Sequence, residues 1–199
     1  MMNLIETAAV PAGALPRAAL AEQLRLPGGF PSDGALDNKL DSCLRAALSA
    51  IEARTSKALF QRGFTWRIGA WTGTDGQKLP IAPVASLDAL SLILRDGSET
   101  VLEPLDFRIL EDTHAPVLVP RSGVLPALPH GAQIRAEITA GFGAAWEAIP
   151  GDLCEAVLIL AADYFDMPQS REAGLPGMPG SVQALIEPYR TISLRRIGQ

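Results

Sequence analysis

The sequence predicts an α+β fold: a helical bundle core built from the N- and C-terminal segments, a small antiparallel β lobe inserted between them, and an extended C-terminal arm. Three patterns predict it. Apolar residues recur at three- and four-residue steps over 36–58, the mark of a helix with one buried face. Over 61–140 the period switches to two and is broken by glycines and prolines, as short strands require. After the "AGFG" run helical character returns, and the sequence closes on a short stretch that is both apolar and basic.

Taken in order, residues 1–15 are Ala-rich and read as a flexible N-terminal arm. A short helix is predicted from about Pro16, where proline suits a first turn, to the breaker "PGGFP". Ser32 and Asp33 are N-cap candidates for a longer helix reaching about Leu59. Its stripe is Leu36, Leu40, Cys43, Leu44, Ala47, Ile51 and Ala58, with most charges off it. The β lobe occupies 61–140, as one sheet or a sandwich. Its strands are marked by Phe64/Trp66/Ile68, Leu90/Leu92/Leu94, Phe107/Ile109, Val117/Val119 and Ile134/Ala136/Ile138, with a tight turn at Asp96-Gly97. Pro150 and Asp152 then open a helix apolar on both sides: Leu153, Val157, Leu160, Ala161 and Tyr164 on one, Leu158 and Ile159 on the other. Such a helix is either central in its domain or shared with a neighbouring subunit. After a Pro/Gly loop, Val182, Leu185, Ile186 and Tyr189 define one or two helical turns limited by Pro188. The helical core is thus 16–60 with 141–188, and 189–199 is a C-terminal tail.

Composition excludes several classes. With 48% hydrophobic and 20% charged residues, the chain can fill a core and is not a disordered one. No apolar run approaches the roughly 20 residues of a membrane span, and no basic start precedes the first apolar residues, so a soluble, cytoplasmic protein without secretory signal or membrane contact is expected. Net charge is −5, unevenly spread. Residues 190–199 hold Arg190, Arg195 and Arg196 and no acid, leaving 14 basic and 22 acidic groups on the other 189 residues. An acidic body argues against groove-type DNA binding. Cys43 and Cys154 lie in helical, apolar patterns and read as free buried thiols, with a disulfide as the alternative.

Chemistry is hard to find. His114 and His130 stand alone in Pro-rich connections, with no ligand-spaced Cys, Asp or Glu, so no metal is proposed. "GAWTGTDG" lacks the Lys-Ser/Thr ending of a phosphate loop and "GFG" lacks a third glycine, so both read as turns. Glu111-Asp112 reads as a solvated loop pair. Trp66 and Trp71 with Arg62 and Arg67 could form a single-strand nucleic-acid surface, but alternation puts Trp66 on an apolar strand face. No catalytic residue and no cofactor is expected.

Order, not any single motif, carries a resemblance. "DNKLDSCLRAALSAIEARTSKAL", then "PVASLDALSLILRDGSETVLEP", then "ITAGFGAAWEAIPGDLCEAVLILAADYFD", then Leu175-Pro176 and Ser181 to Arg190, together resemble the head–tail connector, or adaptor, proteins of long-tailed phages and gene transfer agents. The resemblance implies a non-enzymatic particle component, made in the bacterial cytoplasm and placed in the particle neck. It implies a homo-oligomeric ring of twelve copies under the portal protein, with a stopper or tail-tube protein on the opposite side and genomic DNA passing through the lumen. Tyr189 and Arg190 match the family's Pro-Tyr-Arg element, and Ile192, Leu194, Arg195 and Arg196 would lie in the portal-docking tail. The alternatives are a tail-completion or stopper protein and, in a different class, a small-molecule-binding or hydrolytic enzyme with a β lobe.

Overall fold

In the computed structural model of the chain, residues 2–26, 34–166 and 178–190 are described. The fold is α+β, with four α-helices and two antiparallel sheets of five and three strands among those residues. It divides into two compact units: residues 1–15 with 57–150, and residues 16–56 with 151 onward.

The β unit holds β1 (Met2–Glu6), β2 (Arg62–Ile68), β3 (Gln77–Lys78), β4 (Val84–Ile93), β5 (Glu99–Leu102), β6 (Phe107–Leu110), β7 (Val117–Pro120) and β8 (Gln133–Ala140). The larger sheet has the order β1-β2-β8-β4-β5 and the smaller one β3-β7-β6. The alternation of β2 and β8 is physical: Phe64, Trp66 and Ile68 lie opposite Ile138, Ala136 and Ile134, and all six are buried. Both sheets contribute to one core, with Leu90 of β4 joined by Phe107 of β6 and Leu118 of β7. Trp66 is fully buried, its indole N–H without a hydrogen-bond partner among the described residues. Such a group costs about 1–3 kcal/mol, so the packing of the ring must outweigh it. The Asp96-Gly97 signal is a turn: Gly97 N–H donates to Leu94 O at 3.0 Å, Leu94 N–H to Ser98 O at 2.8 Å, and Gly97 takes φ +86°.

Two expectations are corrected here. Residues 1–15 are not a flexible arm, since 2–6 form β1, paired to β2 from Met2↔Ile68 to Glu6↔Phe64. Leu4 lies opposite Trp66, Arg62 Nε pairs with Glu6 Oε1 at 2.8 Å, and Val10 and Leu15 are buried further on. The ladder and that ion pair hold what composition alone leaves loose. In β7 the buried positions are Leu118 and Pro120, not Val117 and Val119, so the strand sits in the opposite register. A continuous apolar run fits both registers equally, and pairing with β6 and β3 selects one.

The helical unit holds α1 (Arg17–Gln23), α2 (Gly34–Thr55), α3 (Gly151–Asp166) and α4 (Gly180–Ile186). The α2 stripe is as predicted from Leu40 to Ile51. The helix ends before Leu59, because Thr55 Oγ1 bonds back to Ile51 O at 2.8 Å and Ser56 turns to φ +56°. The predicted caps Ser32 and Asp33 lie outside the described residues. Arg17 of α1 reaches Asp41 of α2 at 2.6 Å, and Lys39 Nζ sits 3.7 Å from the centre of the Phe165 ring on α3. Helix α3 packs against α1, α2 and α4, so its two-sided apolarity is that of a central helix. No helix among the described residues is long and apolar enough to cross a membrane.

"AGFG" is a turn, as its sequence suggests. Gly141 takes φ +133°, and a Cβ there would collide with the backbone of Phe60 and Gln61. Phe142 N–H donates to Leu59 O and Gln61 N–H to Gly143 O, which closes the strand end.

Candidate functional site

The candidate site is the C-terminal end of the helical unit, and its geometry begins at α4. Pro179 precedes the helix in an extended conformation, and Gln183 Nε2 donates to Met178 O at 2.6 Å, fixing the entry. Val182 and Ile186, one turn apart, are buried. The chain tightens into a 3-10 turn, Glu187–Tyr189, which accepts Pro188 because a first-turn proline lacks only a hydrogen atom with no partner there.

Tyr189 is half-buried, and its hydroxyl donates to Asp152 in the first turn of α3. Burial, then the Asp152 charge and that hydrogen bond, hold the phenol above its ordinary pKa. Arg190 is exposed; its Nη1 meets Glu187 Oε2 at 2.8 Å and its N–H donates to Glu187 O. A pair this exposed contributes little stability, so the guanidinium is readily available to another carboxylate. Ile192, Leu194, Arg195 and Arg196 lie outside the described residues. Of the six predicted docking residues, the structure therefore places two. Sequence reasoning missed Asp152 as the partner of Tyr189, reading it only as an acid suited to the positive end of a helix dipole.

The positions weighed for chemistry have other occupations. Asp112 accepts the N–H groups of His114 and Ala115 at 2.7 Å each, which holds its carboxyl below the usual range. This is a turn, not an acid/base pair. Lys57 is fully buried; burial lowers its pKa, and the nearby Asp112 charge partly opposes that. Arg62 is occupied by Glu6 and by Phe60 O, and lies over the Phe64 ring. Trp71 donates to Pro126 O at 2.8 Å. With Trp66 in the core, no aromatic and basic nucleic-acid face exists at these residues. Cys43 and Cys154 are not in a disulfide, Cys43 being buried and Cys154 half-buried. The described residues contain no group of His, Cys, Asp and Glu able to hold a metal ion. What the described residues do is hold the last described turn, Glu187–Tyr189, to the start of α3 through Tyr189 and Asp152.

Among solved structures, the chain is similar to one in the neck of an empty gene transfer agent (GTA) particle computed with C6 symmetry. Identity is 45% and TM-score 0.85, over 98% of this chain and 97% of that one. It is similar to a chain of the virion of a native GTA particle, at 45% identity and TM-score 0.82 with the same coverage. A third match is to a chain in the neck of a native GTA particle computed with C12 symmetry, at 42% identity and TM-score 0.80, again with the same coverage. No family model matches the chain, and no curated protein does.

Proposed function

Since this chain belongs to the neck proteins of gene transfer agent particles, a structural component and not an enzyme, we propose that it is the adaptor of the neck, a ring that joins the portal protein to the stopper or tail tube. The observation that carries this reading is the 45% identity over 98% of the chain to a neck protein. The adaptor position in particular draws support from the C-terminal end. Tyr189 is tied to Asp152, so residues 191–199 leave from a fixed point on the helical core. Ile192 and Leu194 can bury apolar side chains on the portal while Arg190, Arg195 and Arg196 pair with its carboxylates. Each contact is modest, and repetition around a ring multiplies it. The acidic body suits a lumen through which DNA slides, because like charge disfavours sticking; a lumen lined mainly by Lys and Arg would contradict this.

The test is deletion of Thr191–Gln199. The truncated protein is expected to keep the far-ultraviolet circular dichroism of the full chain, while tailed particles counted by negative-stain microscopy fall at least tenfold. A folded truncation that yields normal tailed particles would overturn the docking role. Density for the chain on the tail-proximal side of a separate portal-bound ring would make it the stopper.

A further inference from the structure

Among the described residues β1 and β5 are the two edges of the five-stranded sheet, and exposed apolar side chains gather on them. Among the described residues six large hydrophobics are exposed, and four lie here: Met2 at 62% and Ile5 at 47% on β1, Val101 at 67% on β5, and Leu105 at 80% in the turn that leaves β5. Edge strands are normally guarded by Lys, Pro or a bulge. Neither "MNLIE" nor "ETVL" holds a Lys or Pro; each strand is short and carries one Glu. Each edge also carries an acid with its own arginine, Glu6 with Arg62 and Glu99 with Arg135. Apposing the two edges therefore leaves Glu103, exposed between Val101 and Leu105, as the carboxylate without an arginine of its own among the described residues.

We propose that copies of this chain join head to tail through these edges, with Ile5 of one copy packed against Val101 of the next, both on the sheet face that carries Arg135 and Glu137. The proposal rests on the ring reading above: rotational repeats beyond a dimer require two different patches on each copy, facing apart. The edges of one sheet are such a pair, separated by four strand spacings of about 4.8 Å. The joint is one of side chains and not of a continued ladder. A twist of about 20° per strand turns β5 roughly 80° from β1, whereas a C12 ring, the symmetry of one similar neck, rotates each copy by about 30° and cannot bring the strands into line.

The experiment uses particles assembled with Ile5→Cys/Val101→Cys, oxidised and run on a non-reducing gel. A ladder of covalent multimers of this chain is expected, absent from both single variants and from the parent with Cys43 and Cys154. Necks with normal amounts of the double variant and no ladder would overturn the joint. Charge exchange covers failure to assemble. Ile5→Lys and Val101→Glu alone should each lower the amount of this chain in necks at least tenfold, and together restore it; harmless single variants, or no restoration, would also overturn the joint. The two readings part cleanly. If the joint fails but the chain still occupies the portal side of the neck, the adaptor reading stands; if the chain is absent from that side, the adaptor reading falls whatever the gel shows.

Discussion

The two units handle apolar side chains in opposite ways. The helical unit holds α3, apolar on both sides, yet none of the exposed large hydrophobics among the described residues. All six belong to the β unit, where β2 and β8 alternate cleanly. Helix α3 is surrounded by α1, α2 and α4, which leave Leu158 and Ile159 half-buried. A sheet has no such remedy at its edges, where β1 and β5 end the strand order among the described residues. An apolar sequence therefore marks a centre in one unit, and the surplus apolar surface sits where topology ends in the other. Among the described residues, the unit whose sequence advertises a partner least holds all six exposed large hydrophobics.

The largest expected effect tests whether the two units are separate in stability as well as in packing. Trp66→Ala empties the β core and is expected to cost about 3–5 kcal/mol, and Leu160→Ala the helical core about 2–5 kcal/mol. All three tryptophans, Trp66, Trp71 and Trp146, lie in the β unit, so their fluorescence reports on it while circular dichroism at 222 nm follows the helices. In urea, Leu160→Ala should move the dichroism midpoint and leave the fluorescence midpoint in place. If both move together, the units unfold as one and the contrast is only one of packing.

A smaller loss is expected from Gly141→Ala, about 2 kcal/mol or more. The position combines φ +133° with a Cβ collision against the backbone of Phe60 and Gln61. It should lower the fluorescence midpoint first, since Gly141 closes the ends of β2 and β8. An unchanged midpoint would mean that the turn relaxes without help from glycine.

What was legible in the sequence follows the same division. The stripe of α2 and the alternation of β2 and β8 could be read because each presents one face to a core, and burial imprints a period; in β4 two register shifts break the period, and Leu90 and Ser91 are both buried. Strand β1 could not, because only Leu4 of its five residues is even half-buried and its order comes from the ladder to β2. The register of β7 was misread because "PVLVP" is apolar at every position. The two-residue β3 is too short to carry any period. At the candidate site, Tyr189 and Arg190 were picked out by resemblance alone. Asp152, 37 positions upstream, has no local signal that pairs it with Tyr189, and only the packing of α4 on α3 brings them together.

The smallest expected effect is also the sharpest test of the contrast, because alkaline pH should push the two units in opposite directions. Burial holds Lys57, in the β unit, below its ordinary 10.5. Between the folded and unfolded pKa values the unfolded chain binds more protons, so this unit gains stability as pH rises through that window. Tyr189, in the helical unit, is held above its ordinary 10.0. There the folded state keeps the proton longer; its contribution is fully present below pH 10 and is lost as pH climbs through the folded value. Urea midpoints taken at pH 9 and 11 should therefore rise by fluorescence and fall by dichroism. Tyr189→Phe should flatten the dichroism slope alone, and Lys57→Met the fluorescence slope alone. If both probes fall together in the parent and neither substitution changes its own slope, these groups do not govern the alkaline response, and the two units do not titrate independently.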